Sequence, residues 1–253
     1  MAEWMEYQFD VNGFDITARY TKENIEDIFL PLLAKLTAMQ KEKNDRLIVF
    51  LAAPPATGKS TLVNFLSWMS TQREELTPVQ ALGLDGFHYH QDYILTHEAL
   101  QPDGTYLPMK KVKGSPETYD VTHFVDKLKE IQQKDHTTLW PIYSRKLHDV
   151  VEDQLPVTGE IVLIEGNWLL FDDDRWANVR DYADYSVFIS AEEASLKGRL
   201  IDRKMKGGLS REEAEAFYQT GDGVNVRRTL AGSLGGDLTL VLDTDGIFHE
   251  KRA

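Results

Sequence analysis

The most restrictive feature of this sequence is the apolar run Leu47-Ile-Val-Phe-Leu-Ala52, which leads directly into Ala53-Pro-Pro-Ala-Thr-Gly-Lys-Ser-Thr61. A short unbroken apolar run offers no polar face to water. It therefore reads as a strand covered on both sides, as in a parallel sheet. The segment after it is a phosphate-binding (Walker A) pattern, with Ala53 where the first glycine usually stands. Gly58 lets the backbone turn so that successive N–H groups face an anion at a helix N-terminus. Pro55, Ala56, Thr57, Gly58, Lys59, Ser60 and Thr61 then form the expected nucleotide-phosphate cradle. Lys59 brings a point charge to the β- and γ-phosphates, and the Ser60 hydroxyl ligates Mg²⁺. Ala53 and Ala56 keep the nest of donors intact if both hold φ below zero, as alanine prefers.

Further short apolar runs at Val79–Leu84, Leu139–Tyr143, Ile161–Ile164, Ser186–Ile189 and Leu238–Leu242 read as buried strands. Amphipathic helical stretches, among them Val121–Gln132 and Ala191–Met205, separate several of them. Strands that alternate with helices imply a mostly parallel sheet covered on both faces. Ile25, Ile28, Phe29, Leu32, Leu33 and Leu36 fall at helical spacing, so residues 1–45 are expected to be a helical extension. Residues 46–190 and 236–253 form the core of a single domain, the turn-rich segment 86–120 an insertion over its active face, and 191–222 a lid.

Ligands of open α/β sheets bind at the carboxyl ends of the strands, so acids placed there carry the chemistry. Asp85, in Gly83-Leu-Asp-Gly-Phe-His-Tyr-His90, can accept the proton of an attacking hydroxyl and stand beside the metal. Glu165 closes Ile161-Val-Leu-Ile-Glu-Gly-Asn167 at the position of a Walker B acid, where it can hold Mg²⁺ opposite Ser60. Arg199 and Arg203, four apart on one helix face, are expected to point inward from the lid toward the transferring phosphoryl group. Lys204 and Lys206 read as solvated. The pair His88 and His90 lacks a nearby third ligand and does not read as a zinc site. There is no Asn-Lys-x-Asp motif, which excludes a GTPase switch.

Composition narrows the partners. The 253 residues carry 41 acidic and 28 basic side chains, a formal charge of −13. Such a surface repels nucleic acid and anionic lipid, so neither is an expected partner. Cysteine is absent, in keeping with a reducing compartment. The acidic N-terminus does not read as a signal peptide, and the cytoplasm is the expected location.

Taken together, the phosphate loop, Asp85-Gly-Phe-His88, Ile164-Glu-Gly-Asn-Trp-Leu-Leu170 and the arginine-bearing lid resemble the phosphoribulokinase/uridine kinase/pantothenate kinase class. The likeness is greatest to its bacterial nucleoside/nucleotide kinase branch, which has fructose kinase-like members. Lys113-Gly-Ser-Pro-Glu-Thr-Tyr-Asp120 is similar to a Lys-Gly-Ala-Pro-Glu-Thr-Phe-Asp segment of that branch. Pro141-Ile-Tyr-Ser-Arg-Lys-Leu-His-Asp149 resembles the Pro-x-Tyr stretch of pantothenate and uridine kinases.

The resemblance implies a P-loop NTPase fold of three α/β/α layers, with a five-stranded parallel core and a helical lid. It implies ATP and Mg²⁺ as cofactors and a small-molecule alcohol as acceptor, and it allows a homodimer. Asp85 is then the base, Ser60 and Glu165 serve Mg²⁺, and Arg199 and Arg203 are lid arginines. Tyr143 and His148 keep the spacing with which uridine kinases hold their nucleoside. Asn225, with Asp222, resembles a family turn near the nucleotide. His88, Lys113, Glu117, Tyr143, Arg145 and His148 make up the acceptor side, with groups suited to a polyol or a carboxylate. Two other readings stay open: a nucleoside monophosphate kinase, and an ATP sensor that signals through its lid without transferring phosphate.

Overall fold

The computed structural model describes residues 2–11, 14–133 and 137–251. The chain opens with an antiparallel hairpin, β1 (Trp4–Val11) and β2 (Phe14–Thr21). A π-helical turn at Asn24–Phe29 then runs into α1 (Leu30–Lys43). Pro31 lies in the first turn of α1, where a missing N–H costs the helix little. The expected helical extension over 1–45 thus opens with two strands and is helical only from Asn24 to Lys43.

The core follows as β3 (Leu47–Ala52), α2 (Lys59–Thr71) and β4 (Val79–Gly83). The insertion contains α3 (Gln91–Thr96) and a small hairpin, β5 (Glu98–Leu100) and β6 (Tyr106–Pro108). Next come α4 (Val121–Ile131), β7 (Leu139–Ser144), β8 (Asp149–Pro156) and β9 (Ile161–Gly166). The chain continues with β10 (Tyr185–Ala191), α5 (Glu193–Lys206), α6 (Arg211–Phe217) and α7 (Gly223–Gly232). It closes with β11 (Leu238–Leu242) and β12 (Phe248–Glu250).

One sheet runs in the order β12-β11-β10-β3-β9-β4. The five strands from β11 to β4 are parallel, and β12 adds an antiparallel edge to the expected five. Leu139–Tyr143 is not among them, which corrects its assignment as a core strand. It pairs only with β8, in a separate hairpin over the carboxyl end of β4. Alternation along the central strand explains the layering. Leu47, Val49 and Leu51 face a core shared with α1, α2 and α5. Ile48, Phe50 and Ala52 face the other core, with Phe124 and Leu128 of α4 and with Trp140, Trp168 and Trp176.

Two aromatics tie the N-terminal hairpin to this body. Tyr7 lies 4.7 Å from Phe65 and 5.2 Å from Trp68, and Tyr20 lies 4.6 Å from Phe65. Just beyond the hairpin, buried Asn24 clasps the last strand. Its Nδ2 donates to the Phe248 carbonyl at 2.7 Å, and its Oδ1 accepts from the Phe248 N–H at 3.0 Å. No helix among the described residues is long and apolar enough to cross a membrane.

Candidate active site

Strand register alone brings the acids together. Glu165 on β9 stands level with Leu51 of β3 on one side and Gly83 of β4 on the other. The phosphate loop begins two residues after Leu51, and Asp85 lies two residues after Gly83. The Ser60 hydroxyl donates to Glu165 Oε1 at 2.6 Å. Burial pushes the Glu165 carboxyl up, the positive charge of Lys59 pulls it down, and the negative charge of Asp85 raises it again, leaving it above the ordinary value. Lys59, Asp85 and Glu165 therefore share one sheet edge, as the sequence reading requires. Ser60, Asn64, Asp85, Tyr143, Arg145 and Glu165 line a cleft of about 170 Å³.

The β7–β8 hairpin roofs this cleft because Gly86 admits it. A Cβ on Gly86 would collide with the Pro141 carbonyl. The Trp140 indole N–H fixes the roof by donating to the Gly83 carbonyl at 3.0 Å. Asp85 itself remains exposed to a ligand, and its Oδ1 accepts from the Tyr119 hydroxyl at 3.3 Å. Burial, reinforced by Asp85, holds the Tyr119 phenol well above its ordinary pKa, so it stays a donor. Tyr119 was not singled out from the sequence, although it belongs to the Lys113–Asp120 segment that carries the family likeness.

The phosphate loop departs from its expected backbone at one alanine. Ala53 is not in the left-handed region, but Ala56 has φ +67° and Gly58 has φ +85°. Ala56 therefore holds a conformation that L-residues adopt at a cost of about 1–2 kcal/mol. Ala56→Gly is expected to raise stability by about 1 kcal/mol. That corresponds to roughly 2–4 °C in Tm at this chain length, read by calorimetry. An unchanged or lowered Tm would contradict the strain. Pro55 is buried beneath the loop, and the Thr57 hydroxyl closes it by donating to the Pro54 carbonyl at 3.0 Å. Gly58 caps α2, whose N-terminus presents N–H groups and a positive dipole to the site.

On its other flank the loop borders a larger cavity of about 760 Å³. This is lined by Thr57, Gly58, Thr61 and Arg199, by the turn between β11 and β12, and by the N-terminal hairpin. Arg199 thus points inward, but Arg203 does not. Arg203 is exposed and lies 3.9 Å from Asp222, so the expected pair of inward arginines reduces to one. Lys204 is not merely solvated, since it lies 3.5 Å from the Phe217 ring centroid and 3.8 Å from Asp222. Asn225 is buried in α7, with its amide toward Gly114, and lines neither cavity.

The acceptor-side candidates divide. Tyr143 and Arg145 line the cleft. Lys113 borders it, donating to the Tyr143 hydroxyl at 2.9 Å and to Gln91 Oε1 at 2.7 Å. Glu117 is taken by Arg228 in a two-pronged ion pair of 2.6 and 3.0 Å. Burial pushes the Glu117 carboxyl up, but Arg228 outweighs it and holds the group below its usual range. His148 occupies the β7–β8 turn at φ +55°, exposed and outside the cleft lining. His88 is buried, with Nδ1 3.0 Å from the Asp85 carbonyl and its ring 3.9 Å from that of Tyr119. Burial lowers its pKa against the pull of Asp85. It braces Tyr119 from beneath the cleft rather than lining it.

The Ser60 hydroxyl and two carboxylates are hard oxygen donors suited to Mg²⁺, which is usually held by one or two carboxylates together with substrate phosphates and water. Among the described residues no group of three or more His, Cys, Asp or Glu could hold a metal by itself. The donor set therefore fits an ion whose remaining ligands come from a nucleotide.

Comparison with known proteins agrees with this geometry. The YggC protein of Escherichia coli (strain K12) is 42% identical over 97% of this chain and 99% of its own length. A pantothenate kinase of Listeria innocua is 27% identical over 92% of this chain and 86% of that protein. Among solved structures, one described as a fructose transport system kinase from Silicibacter sp. TM1040 superposes with TM-score 0.68 at 29% identity. It covers 82% of this chain and 98% of that one. No family model matches the chain. The fold, the sheet-edge acids and these likenesses define a P-loop kinase, similar in sequence to pantothenate kinases. Within that class the chain belongs to the family of Escherichia coli YggC.

Proposed function

We propose that the protein transfers the γ-phosphoryl group of ATP, with Mg²⁺, to an alcohol of a sugar, nucleoside or pantothenate-like acceptor. The observation that carries this reading is the Ser60–Glu165 contact of 2.6 Å, in one cleft with exposed Asp85 and with Tyr143 and Arg145. Lys59 would neutralise the β- and γ-phosphates, and Arg199 would reach the same phosphate chain from α5. Ser60 and Glu165, with Asp85 beside them, would hold the Mg²⁺, which spreads the charge of the γ-phosphate when bound.

Asp85 accepts the proton of the acceptor hydroxyl as its oxygen bonds to the γ-phosphorus. The bond from that phosphorus to the β–γ bridging oxygen breaks, and ADP leaves. Tyr119 holds Asp85 with its oxygens toward the acceptor. Lys113, Tyr143 and Arg145 orient a polar, compact acceptor under the β7–β8 roof.

An ADP-release assay across sugars, nucleosides, nucleoside monophosphates and pantothenate tests the reading. At least one unphosphorylated alcohol should raise ADP release well above the rate with water. Stimulation by monophosphates alone would replace it with a nucleotide kinase, and no stimulation by any acceptor would leave an ATP sensor.

A further inference from the structure

The start of α2 separates two spaces. Ser60 opens onto the small cleft with Asp85 and Glu165, while Thr57, Gly58 and Thr61 open onto the larger cavity. A triphosphate laid along the loop with its γ-end at Asp85 must leave its nucleoside end in that larger cavity. At about 760 Å³ it lies within the usual range of small-molecule sites. Its outer wall belongs neither to the sheet nor to the lid. It is the N-terminal hairpin, through Trp4, Thr17, Ala18, Arg19 and Tyr20.

Trp4 is the aromatic ring of that wall with room for a ligand. It is only half buried, whereas Tyr20 is buried and packed on Phe65 and Phe29. The Arg19 guanidinium carbon sits 5.3 Å from the Trp4 ring centroid, and Glu6 holds that guanidinium at 3.1 Å. Across the cavity mouth the edge of the indole approaches Gly246. A Cβ built there would lie 3.9 Å from the ring and 3.8 Å from the Arg199 guanidinium. Trp4 and Arg199 therefore both flank Gly246 at the cavity wall. The hairpin cannot drift from it easily, because Tyr7 and Tyr20 are packed on α2 and Asn24 clasps Phe248.

We propose that the N-terminal hairpin completes the nucleotide site, with the Trp4 indole stacking on the base of the nucleoside triphosphate whose phosphates Lys59 and Arg199 hold. This rests on the kinase reading for the phosphates and adds a base subsite supplied by the first strand. Every base has a π-face, so one stacked aromatic gives affinity with little preference among bases.

Calorimetric titration of the full chain with ATP and with inorganic triphosphate, which has no base, tests it. Trp4→Ala should weaken ATP binding roughly 5- to 100-fold, the usual range for losing one base–aromatic stack. It should leave triphosphate binding unchanged, and Trp4→Phe should restore most of the ATP affinity. The hairpin assignment is overturned if Trp4→Ala binds ATP like the wild type. It is equally overturned if both ligands weaken together, or if the wild type prefers ATP to triphosphate by less than about twofold. Lys59→Ala should weaken both ligands. Unchanged binding in that variant would instead strike at the phosphate loop, so the two readings fail separately.

Discussion

Asp85→Asn is expected to lower kcat by roughly 10²–10⁴-fold, the loss that accompanies removal of a general base. The substitution is nearly isosteric. An asparagine Oδ1 can still accept from Tyr119, which now reaches Asp85 at 3.3 Å, so the local geometry should survive. The cleft loses only the group that takes the acceptor's proton. ATP binding, followed by thermal shift, should persist because the phosphate loop is untouched. Turnover within a few-fold of wild type would remove Asp85 from the mechanism and leave Glu165 as the only other acid of the cleft to consider.

Glu165→Gln should show two opposite effects. Catalysis should fall by about 10²-fold or more, because a neutral amide serves Mg²⁺ poorly and does not help balance Lys59. Stability without ligands should rise at alkaline pH. The Glu165 pKa is raised in the folded protein, mainly by burial, so the native state keeps a proton that the unfolded chain has already released. Between the ordinary glutamate value of 4.5 and the raised folded value, stability falls as pH rises. Above that window the whole penalty is present. Glutamine carries none of it, and half-exposed Lys59 can turn its charge to water.

Tm of the variant should therefore exceed that of the wild type at pH 8, by about 2–4 °C for each kcal/mol relieved. The difference should vanish below pH 4.5. A variant less stable than wild type at pH 8 would mean that the Glu165 carboxylate contributes more through Lys59 and Ser60 than its burial costs. Such trade-offs between stability and activity are common where a site keeps a charge in a dry place.

The parts of this molecule that could be read in advance are those encoded locally. The run from Leu47 to Ala52 is buried at every position, and continuous apolarity of that kind has few other outcomes. Glu165 and Asp85 were legible because each ends or just follows such a run, and sheet topology carries such ends to one edge. The N-terminal hairpin was legible too, but its signal is outweighed by the helical spacing that follows it. Met5, Tyr7, Phe9 and Val11, then Phe14, Ile16, Ala18 and Tyr20, alternate around Asn12-Gly13. That is a strong short-range hairpin pattern.

Leu139–Tyr143 misled for a different reason. Apolar content shows that a strand is covered, but not whether a sheet or a neighbouring turn covers it. Glu117 and Arg203 show a limit of another kind. What withdraws Glu117 from the acceptor is Arg228, 111 residues away, and what holds Arg203 outward is Asp222. Neither pairing leaves a mark at the residue itself. Ala56 reversed its expectation because the loop needs a left-handed turn there, and intrinsic preference yields to closure of the loop on Pro54.

The clasp between Asn24 and Phe248 bears on how the protein is made. The phosphate loop is synthesised long before the turn between β11 and β12, yet the cavity beside it is walled by the N-terminal hairpin and by that turn. A nascent chain that has made β3 and the loop still lacks both neighbours of that strand, β9 and β10, and one wall of the cavity. A product ending soon after Leu242 would therefore keep the signature motif while losing Asp245, Gly246, Ile247 and Phe248 from the cavity wall, and with them the partner that Asn24 holds.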